Sequence, residues 1–148
     1  MQIRTIAVTV SAKCDLVFGF LADIENLPKW AGDFCERIEL RRNGWLAYTS
    51  LGDVMLAAEA DDHTGVIDLR IEPAANRPGW FLLRVVPVSP MSTLVSFTFI
   101  QPPVLSDKLY EQQYVSWRRA MEGLLPRFGG GELHSSVEVS HFGVLGLN

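Results

Sequence analysis

Apolar and polar positions recur along this chain with two different periods. Over residues 106–128, Tyr110, Tyr114, Trp117, Met121, Leu124 and Phe128 fall at spacings of three and four, which stacks them on one face of a helix. Glu111, Ser116, Arg119 and Glu122 occupy the other face. Ser106-Asp107 supplies a side-chain cap for the helix start. In the first half of this stripe, large rings with polar tips stand where Leu and Ile would pack a solid core better. Such a helix, laid over a sheet, can roof a cavity.

Elsewhere the period is two. Residues 2–11 are rich in β-branched side chains and predict a strand, with Arg4, Ile6, Val8 and Val10 on one face and Ile3, Thr5, Ala7 and Thr9 on the other. A short helix follows, with Asp15 in its first turn and Val17, Phe20, Leu21 and Ile24 as its buried stripe. Pro28 suits the first turn of a second short helix over 27–31, which Gly32 ends. Strands are then predicted at about 34–42, 45–51, 54–61, 65–72, 80–87 and 93–101. Asn43-Gly44 is a hairpin signal, and Gly52-Asp53 and residues 61–65 are further turns. Residues 73–79 form a longer loop, and 88–92 the last turn. Connections this short make the strands an antiparallel meander.

Alternation then assigns faces. One set contains Met55, Ala57 and Glu59, then Ile67, Leu69 and Ile71, then Phe81, Leu83 and Val85, then Val95, Phe97 and Phe99. It is nearly all apolar and is expected to face the long helix. The complementary set, which includes Leu56, Ala58, Asp68, Arg70, Trp80 and Arg84, is mixed and is expected to face water or another subunit. A two-residue turn at Gly52-Asp53 adds Leu46 and Tyr48 to the inner face.

The chain has 148 residues, enough for one domain that buries roughly two thirds of its unfolded surface. Composition sharpens this picture: 48% of residues are hydrophobic and 20% charged, so either the core is large or apolar surface serves a ligand or a partner. A net charge of -4 without a basic stripe argues against nucleic acid. Cys14 and Cys35 do not make a disulfide framework and are expected to be free thiols in a reducing compartment. With no secretory segment, and no apolar run near the roughly 20 residues of a spanning helix, a cytoplasmic protein without membrane insertion is expected. Gly129-Gly130-Gly131 is expected to be a hinge, dividing a domain of residues 1–128 from a tail of 129–148. The tail carries His134, His141 and Phe142 and alternates weakly to Val144; it is either a loose terminus or an added strand on a sheet edge, here or in a neighbour.

The run 17–30 (VFGFLADIENLPKW), with 65–68 (GVID), 84–87 (RVVP) and 95–99 (VSFTF), resembles the START/Bet v 1-like superfamily, also called SRPBCC or polyketide cyclase-like. The likeness spans about residues 3–127. It implies an α+β helix-grip fold, a seven-stranded antiparallel sheet wrapped around a C-terminal helix with a cavity between. Members of that superfamily bind lipids, sterols, polyketides and hormones, and a minority are cyclases, aromatases or dehydratases. They share no invariant catalytic set, so none is carried over. The tail after Gly129 departs from the usual ending.

On this reading the cavity is lined by Trp30, Tyr48, Met55, Glu59, Phe81, Phe97, Phe99, Tyr110, Tyr114 and Trp117. Apolar walls would supply affinity, and Glu59 and the tyrosines orientation. A carboxyl kept protonated by burial can serve as general acid or base, which makes Glu59 the catalytic candidate, with Tyr48 beside it, for an aldol-type cyclisation or dehydration. Three readings follow: uptake of a small, mainly apolar ligand; a polyketide cyclase or dehydratase; or an interaction module with a filled core, in which an outward Trp80 favours a homodimer. No cofactor is expected. Asp61, Asp62 and His63 match no zinc or calcium loop and are expected to be a solvated turn.

Overall fold

Among the described residues, the β-branched and aromatic segments form nine strands, and the two apolar stripes form helices. In the computed structural model the order is β1 (Ile3–Val10), α1 (Cys14–Ala22), a 3-10 turn (Ile24–Asn26), α2 (Leu27–Trp30), β2 (Cys35–Arg41), β3 (Gly44–Thr49), β4 (Gly52–Asp61), β5 (Val66–Glu72), β6 (Trp80–Ser89), β7 (Ser92–Ile100), α3 (Asp107–Arg127), β8 (Gly131–Leu133) and β9 (Val137–Val139). The structure describes residues 1–72, 80–134 and 137–139, with backbone only for residues 80 and 137–139. The loop expected at 73–79, the face shown by the Trp80 side chain, His141, Phe142 and the rest of the tail lie outside the described residues.

The strands form one antiparallel sheet in the order β2-β3-β4-β5-β6-β7-β1-β8, with β9 also paired to β1. The helix-grip arrangement is present, with two short strands beyond the expected seven. α3 is capped by Ser106, whose side chain accepts the Leu109 N–H at 3.2 Å. Its position over the sheet is set by Gln101, buried at the end of β7. The amide oxygen of Gln101 accepts the Gln2 N–H at 2.8 Å. Its amide nitrogen donates to the Leu105 carbonyl and to Asp107, each at 2.9 Å. One side chain thus joins β1, the connection to α3 and the first turn of α3, with every polar atom satisfied.

The inner face differs from expectation in half the sheet. β5, β6, β7 and β1 present Ile67, Leu69, Phe81, Leu83, Val85, Val95, Phe97, Phe99, Ile6, Val8 and Val10 inward, all buried. In β4, however, Leu56 is the buried residue, and Met55, Ala57 and Glu59 point the other way. The cause is one residue in the β4–β5 turn. Asp61 pairs with Val66, leaving four residues between them where the expected strands left three. A one-residue change of register exchanges the faces of a strand. β3 follows β4, since Leu46 pairs with Met55 and Tyr48 with Asp53, so both lie on the outer face. Ala58 and Ala60 continue the inner set opposite Leu69 and Ile67, yet are exposed.

The glycine triplet forms a hydrogen-bonded turn. Gly130 donates to the Leu125 carbonyl at 2.7 Å and accepts from the Ser11 N–H at 2.9 Å. Gly131 has φ +144°, and a Cβ there would lie 1.8 Å from the Thr9 carbonyl oxygen. β8 then pairs with Val8, Thr9 and Val10, and β9 with Ile3, Arg4 and Thr5, so residues 131–133 and 137–139 lie along the free edge of β1. Between them the His134 N–H donates to the Ala7 carbonyl at 2.9 Å. An uncovered edge is a template for pairing with another chain. Removing residues 129–148 is therefore expected to leave a folded protein that self-associates with rising concentration, as light scattering would show. A truncated chain that stays monomeric at every concentration would contradict this role.

Candidate functional site

Between α3 and the sheet lies a stack of aromatic rings. Trp117 sits at its centre, with no exposed surface. Its ring is 4.4 Å from Phe97, 4.8 Å from Phe34, 5.3 Å from Phe81 and 5.7 Å from Trp30, centroid to centroid. Phe99 extends the stack from Phe81 at 5.4 Å to Tyr110 at 4.5 Å. Offset and tilted contacts at these separations suit the ring quadrupoles. The Tyr110 hydroxyl donates to the Phe99 carbonyl and is thereby occupied. Seven of the expected lining residues (Trp30, Phe81, Phe97, Phe99, Tyr110, Tyr114 and Trp117) are thus buried between α3 and the sheet. Except for Tyr114, whose ring lies against the Arg4 guanidinium, their rings are in contact with one another, so a guest would have to displace them.

Tyr48, Met55 and Glu59 are not among them; the turn register places them outside. Glu59 is 65% exposed and pairs with Arg70 at 3.1 Å. Tyr48 belongs to a surface cluster, donating to Glu39 and accepting from Arg41, each at 3.2 Å, with the Arg37 guanidinium 4.1 Å from its ring. The Arg41 hydrogen bond holds the Glu39 carboxyl below its ordinary value, aided by Tyr48 and Arg37. Glu59→Gln is accordingly expected to leave the melting midpoint unchanged, because exposed ion pairs contribute little. A drop of several degrees would mean that Glu59 holds the fold in a way its surface pair does not.

Three residues of the interior were not among the expected lining residues. Phe34 precedes β2 and packs edge-on against Phe81 and at a tilt against Trp117. Arg4 stands on the inner face of β1, as the alternation with Ile6, Val8 and Val10 signals. Its guanidinium lies 4.3 Å from the Tyr114 ring and pairs with Glu111 at 2.7 Å. The third is Gln113, which faces inward on α3 and is 6% exposed. Its amide nitrogen is 2.9 Å from Ser50 Oγ in the β3–β4 turn, while its Oε1 has no partner among the described residues. Trp117 Nε1, one helical turn on, has none either. Each buried polar atom left without a partner costs about 1–3 kcal/mol.

Away from α3, a groove of about 650 Å³ runs between α1 and the β4–β5 turn, lined by Cys14, Phe18, Gly19, His63, Val85 and Pro87 among others. Burial pushes the Cys14 thiol up from its ordinary value, and neighbouring Asp15 pushes it further, so this is not an activated thiolate. Burial also raises Cys35. Asp61, Asp62 and His63 offer ligand atoms within 4.8 Å of one another, all exposed. Asp62 accepts from His63 Nδ1–H at 2.9 Å, and Asp61 accepts the His63 backbone N–H at the same distance. Among the described residues, no helix is long and apolar enough to cross a membrane.

No protein-family profile and no curated relative matches the chain. Solved structures do share its fold. A START superfamily protein from Mycobacterium smegmatis superposes with a TM-score of 0.62 at 16% identity, over 86% of this chain and 99% of that one. The Zhui aromatase/cyclase from Streptomyces sp. R1128 gives 0.61 at 17% identity, over 88% and 99%. Norcoclaurine synthase from Thalictrum flavum, in complex with dopamine and hydroxybenzaldehyde, gives 0.57 at 11% identity, over 86% and 88%. At these identities the likeness is one of fold.

Proposed function

We propose that this chain, which has the START/Bet v 1-like helix-grip fold, takes up a small, mainly apolar organic molecule between α3 and the concave face of its sheet. The observation that carries this reading is the ring stack around Trp117. Flat aromatic faces held between a helix and a curved sheet can part to take another flat apolar molecule into the stack. Packing by Leu and Ile would be denser and would offer no such faces. The exposed inner residues Ala58 and Ala60 give a place of entry, since small side chains leave the concave face of β4 uncovered.

Binding is favoured over turnover. Among the described residues the buried polar side chains are Thr93, Gln101 and Gln113, and no carboxylate or histidine is buried with them. A cyclase or dehydratase needs an acid or base within hydrogen-bond reach of its substrate, and Glu59 stands on the opposite face of the sheet. The interaction-module reading has one observation in its favour: the rings are closely packed while Leu16, Val86, Val88 and Met91 are exposed.

Native mass spectrometry of protein purified from cells under mild conditions tests the choice. Ligand uptake predicts a reproducible non-covalent adduct that is lost on denaturation. Protein of bare mass, running as a stable dimer through its apolar surface, would overturn the reading in favour of the module.

A further inference from the structure

The orphaned atoms on α3 carry more information than the rings. Gln113 and Trp117 are four residues apart and so share a helix face, with their side chains neighbours. Trp117 is wholly buried and Gln113 is 94% buried (6% exposed), so bulk water reaches neither polar atom. Trp117 Nε1 can only donate, and Gln113 Oε1 can only accept. The rings around Trp117 offer the indole N–H no more than a weak acceptor. The other end of the Gln113 amide is already engaged by Ser50 Oγ.

We infer that Gln113 and Trp117 form the polar reading point of the interior site and select a ligand that carries a hydroxyl on an otherwise apolar, ring-like body. This rests on the proposed interior uptake. A hydroxyl gives one proton and accepts others, so a single oxygen serves both atoms at once. It accepts from Trp117 Nε1 and donates to Gln113 Oε1. A ketone or ether oxygen would satisfy the indole and leave the amide oxygen bare; an ammonium would do the reverse. A hydrocarbon would satisfy neither. Sites with buried polar groups reject analogues that leave those groups unpaired far more strongly than apolar pockets reject a missing methylene. The ion pair of Arg4 with Glu111 leaves the interior without an uncompensated charge at that end, which accords with a neutral guest.

The test uses the full chain and two probes of nearly equal shape, 2-naphthol and 2-methylnaphthalene. Affinities come from calorimetry, and the Trp117 indole N–H is followed by NMR. The expected result is that 2-naphthol binds at least tenfold more tightly and shifts the Trp117 indole proton downfield. Gln113→Met and Trp117→Phe, each checked for folding by circular dichroism, are expected to bring the two affinities within about twofold. Equal affinities in the wild-type protein, with the Trp117 signal perturbed by both probes, would overturn the hydroxyl inference and leave interior uptake standing. This comparison needs no variant to fold. Neither probe perturbing Trp117 would sink uptake and the inference together. A slowly exchanging water at the indole N–H that persists at saturating 2-naphthol would assign the pair to a structural water and overturn the inference.

Discussion

Trp117→Ala is expected to lower stability by about 3–5 kcal/mol, the range for deleting a large buried ring. The reason is position. Trp117 touches Phe97, Phe34, Phe81 and Trp30, which come from β7, the segment before β2, β6 and α2. Those elements cannot close around a missing indole without moving the sheet against the helix. For a chain of this length each kcal/mol lowers the melting midpoint by roughly 2–4 °C, so thermal or urea unfolding would show the change plainly. The variant is also expected to bind benzene-sized molecules in the vacated space, as apolar cavities that stay dry do. A loss below about 1 kcal/mol would be inconsistent with close packing. It would mean that the rings already border empty volume and that Trp117 supports little.

Gly65→Ala is expected to be nearly as damaging, at about 3 kcal/mol or more, for a backbone reason. Gly65 has φ +75°, where a side chain is strained, and a Cβ would fall 2.1 Å from the Val85 carbonyl oxygen. Neither strand can retreat easily, because the Val85 N–H donates to the Gly65 carbonyl at 2.9 Å. Relief of the clash would break that bond at the start of the β5–β6 pairing. Chemical denaturation of the variant checks the size of the effect. A midpoint equal to the wild type would show that the turn can adopt another conformation at no cost. The strand register described for β4 would then lose its anchor.

That turn is also where reading the chain as a sequence met its limit. Long-range order was legible from local chemistry. The stripe from Tyr110 to Leu124, the cap at Ser106 and the glycines at the hairpins specify α3 and the meander, because each is a short-range preference of the backbone. The faces of β5, β6 and β7 were legible too, since their alternation sets Ile, Leu, Phe and Val against Asp, Arg, Ser and Thr. β4 has no such contrast. Met55 and Ala57 are no more apolar than Leu56 and Ala58, so its face depended on counting the residues of a turn. Four residues between Asp61 and Val66, where three were expected, turned Glu59, Met55 and Tyr48 outward and removed the catalytic candidate from the interior.

The sequence by itself therefore determined the first seven strands, the helices, their order and most rings of the core, which are matters of local propensity and of hydrophobicity. Only the tertiary structure decided three things: which face of β3 and β4 looks inward, that β8 and β9 lie along β1, and that Gln113 and Trp117 end with polar atoms unpaired among the described residues. Each depends on partners distant in the chain, where a single residue of register or one hydrogen bond between remote side chains outweighs any preference a segment has alone.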